Sequence, residues 1–172
     1  MNEFNLNHTN SGWTYQIKRW IPTAIMLPIM IWLIMNRGTY TWIDNADLVI
    51  HEAGHFFFMF FGKFIYTLGG TLMQVLLPSL IVWSFVRNSY RTGAQVGLLW
   101  LGQNLINISV YAADARAQAL PLLGGNKVYH DWTYILGTTN LLHYDSEVGY
   151  IFFGLAIIIF LITALLPLIF QE

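Results

Sequence analysis

The sequence predicts an all-α fold, a polytopic membrane helix bundle of about five transmembrane helices, with residues 1–172 forming a single integral membrane domain. Hydrophobic residues make up 56% of the 172-residue chain and charged residues only 10%, whereas about a quarter of the residues in a soluble globular domain are charged. Three runs contain no Asp, Glu, Lys or Arg: residues 64–86, 92–113 and 148–171. Each run is long enough to cross the hydrocarbon core of a bilayer as a helix, which takes roughly 20 residues.

Five hydrophobic segments give the predicted spans. The first is shorter than the uncharged runs, but Arg19 and Arg37 bound it on either side. The second, whose hydrophobic segment covers residues 48–61, is interrupted by His51, Glu52 and His55 and then has a run of Phe and Met at residues 56–61, which fits burial in lipid or against other helices. In chain order the spans are predicted at about residues 20–36, 46–61, 67–86, 93–113 and 148–170, with a polar segment at 114–146 before the last. Gly93 and Gly97 form a small-xxx-small pair that predicts a close helix contact, or simply marks a span boundary.

The net charge and the cysteine content narrow the possible partners and sites. The net charge is −1, so the chain has no basic field to attract nucleic acid. The predicted partners are the lipid bilayer and a membrane protein substrate or partner subunits. The chain has no cysteine, so it forms neither disulfides nor thiolate metal sites. Any metal must therefore bind nitrogen and oxygen ligands.

The strongest motif is His51-Glu52-Ala53-Gly54-His55 in the second predicted span. Residues four apart lie on one face of a helix, so His51 and His55 can bind one ion while Glu52 reaches a water on that ion. Zinc lowers the pKa of such a water and polarises a carbonyl, and a glutamate can act as the general base. Ionisable groups in a membrane segment cost a few kcal/mol each and are kept mainly when they are paired or functional. We therefore predict a zinc site with Glu52 as the catalytic base; a structural hydrogen-bonded cluster is the alternative.

Two histidines leave the ligand set incomplete, because a catalytic zinc usually has three protein ligands. Asp114, at the end of the fourth span, is predicted as the third ligand. It ends a polar stripe on an otherwise apolar helix, which should face the bundle interior: Asn104, Asn107, Tyr111 and Asp114. The alternative for Asp114 is a solvated helix end paired with Arg116.

The polar segment at 114–146 offers two further candidate ligands, His130 and Asp131. Either could be an additional ligand or could orient an imidazole. Their alternative is an interfacial loop anchored by Trp132. Imidazole and carboxylate ligands also suit iron, so a membrane oxidoreductase or hydroxylase remains a further possibility.

These motifs and their order resemble those of the site-2 protease family of intramembrane zinc metalloproteases. The resemblance is that of a divergent member of the family. Residues 51–55 are similar to the zinc-binding helix of that family, including the Gly before the second His. Residues 69–74 resemble the Gly-Pro-x-x-Asn segment that opens its second core helix, with Thr71 and Gln74 in place of Pro and Asn. Residues 104–114 resemble its third core helix, in which an Asn-rich stretch precedes a ligating Asp.

The resemblance implies a three-helix metalloprotease-like core at about residues 46–116 and hydrolysis of a peptide bond in a membrane protein substrate. It implies that His51, His55 and Asp114 bind zinc and that Glu52 takes a proton from water and later gives it to the leaving amine. It also implies that Gln74 or Asn107 contacts the substrate or oxyanion. The alternative is a metal-binding, inactive homologue that serves as a structural subunit of a membrane protein complex.

Overall fold

The computed structural model describes residues 7–121 and 130–170, with side chains from residue 17 onward, and all regular secondary structure in these residues is helical. The described residues form the α-helices α1 (Asn7–Met35), α2 (Trp42–Phe58), α3 (Gly62–Arg87), α4 (Arg91–Ala113), α5 (Asp131–Thr138) and α6 (Asp145–Ile169). Single turns of 3-10 helix at Met59–Phe61 and Leu142–Tyr144 precede α3 and α6. The predicted all-α class is confirmed for this part of the chain.

Four helical segments of the described residues are long and apolar enough to cross a membrane: Ile17–Met35, Trp42–Arg87, Arg91–Ala113 and Leu142–Ile169. The predicted second and third spans fall together in the 46-residue segment Trp42–Arg87. The 17-residue α2 is about 26 Å long at 1.5 Å per residue, slightly short of the roughly 30 Å hydrocarbon core. Because only one 3-10 turn separates α2 from α3, the two helices form one continuous hairpin.

Gly62 makes the chain reversal between α2 and α3. Its backbone has φ 83° and ψ 164°, a region that is essentially restricted to glycine. After this turn α3 runs back along α2, so that Tyr66 lies beside His55 and Gln74 lies beside His51.

Glycines allow the backbones of α2 and α3 to touch. A Cβ atom at Gly54 would lie 2.6 Å from the carbonyl carbon of Gly69 and 2.8 Å from the Cα atom of Gly70. A Cβ atom at Gly70 would lie 2.6 Å from the Nδ1 atom of His51. The His51 ring therefore occupies space that only a glycine on α3 leaves free.

The most buried of the membrane-length segments is α4, which contacts α1, α2, α3 and α6. Gly97 lies against Val82 of α3, and Gly102 lies against Phe160 of α6. The predicted close contact at the start of this helix is thus present at Gly97. Gln95 adds polar contacts, since its Nε2 atom donates to Thr23 Oγ1 at 2.8 Å and to the Thr163 carbonyl at 3.0 Å.

The short helix α5 lies within the predicted polar segment and packs into the bundle. Its apolar side chains Trp132, Ile135 and Leu136 are buried against Ile108 and Ala112 of α4. The alternative of a loop anchored at an interface by Trp132 is therefore wrong. This packing brings the N-terminus of α5, with His130 and Asp131, to the end of α4.

Candidate metal centre

The two imidazoles of α2 face the same side of the helix. His51 and His55 lie one turn apart, with ring centroids 4.9 Å from each other. The Nδ1 atom of His55 lies 2.8 Å from the Tyr66 carbonyl oxygen. A carbonyl oxygen can only accept a hydrogen bond, so Nδ1 of His55 carries a hydrogen in this contact, and Nε2 is the ring nitrogen that faces Asp131.

Both Nε2 atoms converge on the carboxylate of Asp131. The Oδ2 atom of Asp131 lies 2.8 Å from Nε2 of His51 and 3.2 Å from Nε2 of His55. Ligand atoms on a tetrahedral zinc ion lie about 3.3 Å apart when each is about 2.0–2.1 Å from the metal. One ligand atom from each of the three residues lies within 4.8 Å of the others, so this group could hold a metal ion.

The third candidate ligand comes from α5 and not from α4. Asp114, predicted as the third ligand, accepts hydrogen bonds from the backbone N–H groups of Ala119 and Leu120, each at 3.0 Å. It lies outside the His51, His55 and Asp131 group found among the described residues. The physical reason is that α4 ends at Ala113, so the next side chain stabilises the turn that follows the helix.

The chain matches no protein-family model, no curated protein and no solved structure.

The electrostatics of the site centre on Asp131, which lies between the two imidazoles. Burial raises the pKa of its carboxyl, but hydrogen bonds and charge interactions with His51 and His55 outweigh burial and bring the pKa below its usual range. A carboxylate that stays ionised beside two imidazoles is suited to a cation.

Tyr111 on α4 holds Asp131 in place. The Oη atom of Tyr111 accepts a hydrogen bond from the backbone N–H of Asp131 at 3.1 Å and lies 3.4 Å from Asp131 Oδ2. Its ring packs edge-on against His51 and lies 4.4 Å from the His130 ring, centroid to centroid. Sequence reasoning placed Tyr111 in the polar stripe but gave it no role.

His130 is placed to support the site from outside the ligand group. Its Nε2 atom lies 3.4 Å from Asp114 Oδ2, and its Nδ1 atom accepts a hydrogen bond from the Thr133 N–H at the start of α5. Burial lowers the pKa of His130, and the nearby Asp114 carboxylate only partly opposes this effect. The two residues link the end of α4 to the start of α5.

Gln74 and Asn107, predicted as substrate or oxyanion contacts, bind each other next to the histidines. Gln74 is 1% exposed, its Oε1 atom lies 3.0 Å from His51 Nδ1, and its Nε2 atom donates to Asn107 Oδ1 at 3.0 Å. Asn107 in turn donates to Asp44 Oδ1 at 2.9 Å. Both amides line the cavity that contains His51 and His55. Their hydrogen bonds connect them to His51, so they orient its ring in addition to lining the cavity.

Glu52 is exposed on the wall of a cavity of about 750 Å³ that also contains His51, His55 and Asp131. Apolar side chains from α1, α2 and α4 supply much of the remaining wall: Trp32, Leu33, Leu48, Ile106 and Val110. A carboxylate next to the three candidate ligands and open to the cavity can exchange a proton with a water molecule bound there.

Proposed function

We propose that the chain is a zinc-dependent intramembrane endopeptidase that hydrolyses a peptide bond of a membrane protein substrate. The convergence of the His51 and His55 Nε2 atoms on Asp131 Oδ2, beside Glu52 in one cavity, carries this proposal. Two histidines and one carboxylate make up the ligand set of several zinc hydrolases. The resemblance of residues 51–55 to the zinc-binding helix of site-2 proteases agrees with this proposal.

His51, His55 and Asp131 would hold the ion, which when bound polarises a substrate carbonyl and lowers the pKa of water. Glu52 accepts the proton from water on its carboxylate and returns it to the nitrogen of the leaving amine. The cavity of about 750 Å³, with apolar side chains over much of its wall, would admit an unwound stretch of substrate. Unwinding is required because a peptide bond inside a membrane helix has its polar groups bonded within the helix.

Replacing Glu52 with Gln tests the proposal, because the amide keeps the shape of the side chain but accepts no proton. A transmembrane peptide with a quenched fluorophore pair, reconstituted with the protein in liposomes, reports cleavage. We expect cleavage to fall by about 10²- to 10⁴-fold, the usual contribution of a general base, while elemental analysis still finds bound zinc. Finding iron in place of zinc would favour the oxidoreductase alternative.

Glu147→Gln serves as the matched control, since Glu147 is an exposed residue near the start of α6 and should leave cleavage unchanged. Unchanged cleavage in Glu52→Gln would remove Glu52 from the mechanism.

A metal-holding structural subunit is the second candidate. It is favoured by the position of the third candidate ligand, which lies on α5 rather than on the helix that the site-2 protease resemblance implies. Co-purification with a stable partner, together with zinc binding and no cleavage of transmembrane peptides, would support this candidate over the protease.

A further inference from the structure

We infer that Lys63, at the start of α3, selects substrates that carry a carboxylate close to the scissile bond and thereby sets which bond lies at the candidate metal centre. The inference deepens the proposed function and rests on it in one respect, namely that a peptide segment occupies the cavity. Lys63 is on this view a specificity-determining residue, and an Asp or Glu side chain is the group that it recognises.

The charged side chains on the cavity wall are unevenly distributed. Three carboxylates line the cavity, those of Asp44, Glu52 and Asp131, and Lys63 is the only Lys or Arg among the described residues of its wall. A carboxylate on an incoming peptide is repelled by the first three and attracted by Lys63. The charge of a bound zinc ion would be balanced by Glu52 and Asp131 beside it. The favourable position for the carboxylate is therefore next to Lys63.

The ammonium of Lys63 is available for such a contact. Its Nζ atom lies 4.5 Å from the centroid of the Tyr134 ring on α5. Within the part of the chain that the structure describes, no carboxylate forms an ion pair with it. The ring face attracts one side of the ammonium, which has three donors. Because Lys63 is also exposed, an anion can reach it without displacing another anion.

Lys63 and Tyr134 each lie about one helical turn from the candidate ligands. Tyr66, whose carbonyl oxygen lies 2.8 Å from His55 Nδ1, follows Lys63 by three residues on α3. Asp131 precedes Tyr134 by three residues on α5. Three residues of helix rise about 4.5 Å, and an extended chain covers about 3.3 Å per residue. Lys63 should therefore meet a substrate side chain within about three residues of the scissile bond.

A cation on the wall supplies a selectivity that the apolar part of the wall lacks. A hydrophobic pocket separates one apolar segment from another only weakly. Ionisable residues are rare in membrane segments, because a charge in lipid is costly. Lys63 therefore distinguishes the few segments that have a suitably placed acid from the many that have none.

Binding of transmembrane peptides to the Glu52→Gln protein in phosphatidylcholine vesicles tests the inference without cleavage. The peptides share one sequence with a flexible central segment and carry either Glu or Gln at one position, which is moved along that segment. We expect the Glu peptide to bind about 10-fold more tightly than its Gln counterpart at one or two adjacent positions, as for one charge-assisted hydrogen bond. Energy transfer from the tryptophans of the protein to a dansyl group on the peptide measures the affinity.

Lys63→Glu provides the decisive comparison. This variant should bind the Glu peptide less tightly than the Gln peptide and should prefer a Lys peptide at the same position, whereas Lys63→Arg should keep the wild-type preference. If Lys63→Glu binds no peptide at all, Lys63→Met decides, because it keeps an apolar side chain against Tyr134. It should bind the Glu and Gln peptides equally.

Arg87→Glu is the matched control. Arg87 is an exposed basic residue at the other end of α3, and its guanidinium lies 5.5 Å from the centroid of the Trp83 ring. It therefore resembles Lys63 in charge, helix and aromatic partner, but it lies outside the cavity wall. The preference for the Glu peptide should persist in this variant.

Equal binding of the Glu and Gln peptides at every position would overturn the inference, as would a preference that both Lys63→Glu and Lys63→Met leave intact. An effect of Lys63→Glu that appears only when the vesicles contain phosphatidylglycerol would also overturn it, because the lysine would then bind a lipid phosphate.

Cleavage by the wild type separates the inference from the proposed function. Moving the Glu by one position should move the cleaved bond by one position, which mass spectrometry of the products detects. A wild type that prefers the Glu peptide but cleaves nothing would overturn only the protease proposal. A wild type that cleaves both peptides equally and at a fixed bond would overturn only the inference.

Discussion

The two aspartates near the histidines, Asp131 and Asp114, have different neighbours, so their replacement by Asn should separate a metal ligand from a structural residue. Asp131→Asn removes the charged oxygen on which both Nε2 atoms converge, and we expect it to lower zinc affinity by more than the roughly 10- to 100-fold lost with an orienting group. Asp114→Asn changes a residue that binds backbone amides and His130, so the protein should keep its zinc.

Elemental analysis of the purified variants after dialysis against a weak chelator measures the difference. Retention of zinc in Asp131→Asn and loss in Asp114→Asn would reverse the assignment and return Asp114 to the ligand set.

The sequence predicts the two candidate ligands on one helix, His51 and His55, better than the third, Asp131, which lies on another helix. Helical periodicity alone relates His51 to His55, because both lie on α2. The third candidate ligand, the Asp131 carboxylate, lies 80 positions from His51 in the chain, and its approach depends on the packing of α5 against α4. Asp131 was named as an additional candidate, but no pattern in the sequence ranks it above Asp114. Of the predicted polar stripe, Tyr111 contacts His51 directly, whereas Asn107 contacts Gln74, the neighbour of His51.

At the scale of helices, the contact between α2 and α3 controls the geometry of the site. Gly54→Ala places a methyl group into the backbone of Gly69 and Gly70, and α2 must move away from α3. We expect a loss of about 1–3 kcal/mol of stability, as for other overpacked contacts, and weaker zinc binding because His55 moves away from Tyr66. Thermal unfolding in detergent, with and without zinc, measures both effects.

Gly154→Ala is the control, since a Cβ atom at Gly154 on α6 would meet nothing within 4 Å. Alanine favours a helix by about 1 kcal/mol over glycine, so this variant should be as stable as the wild type or slightly more so. Equal behaviour of the two variants would contradict the close approach of α2 and α3.

The uncharged runs predict where α3 and α4 end, but they do not predict that α2 and α3 form one hairpin. The predicted span 93–113 matches α4 closely, and the predicted span 67–86 ends where α3 ends, because Arg87 and Arg91 flank the connection; α3 begins earlier than predicted, at Gly62. The hairpin of α2 and α3 depends on the backbone conformation of Gly62, which hydrophobicity does not encode. Likewise, α5 is short and partly polar, so no membrane-length pattern indicates it.

At the scale of the bundle, the apolar outer surface of the described residues is compatible with a lipid environment. Large hydrophobic side chains are exposed on helices around the bundle, among them Ile25, Trp42, Phe60, Leu80, Ile158 and Leu168. Soluble monomers rarely expose large apolar patches. We expect the protein to sediment with membranes after washes with high salt and with alkaline carbonate, and to be released only by detergent. Release into the supernatant by either wash would contradict a multi-pass membrane protein.

The three candidate ligands lie far apart along the chain, so an ion bound by all of them would connect two separate parts of the fold. His51 and His55 belong to the hairpin, whereas Asp131 arrives on a short helix late in the chain. An ion held by all three would tie these two parts together, so chelation should loosen the N-terminus of α5 before it disturbs the long helices. Metal loading would then complete assembly, and newly made chains would acquire high affinity only after α5 docks.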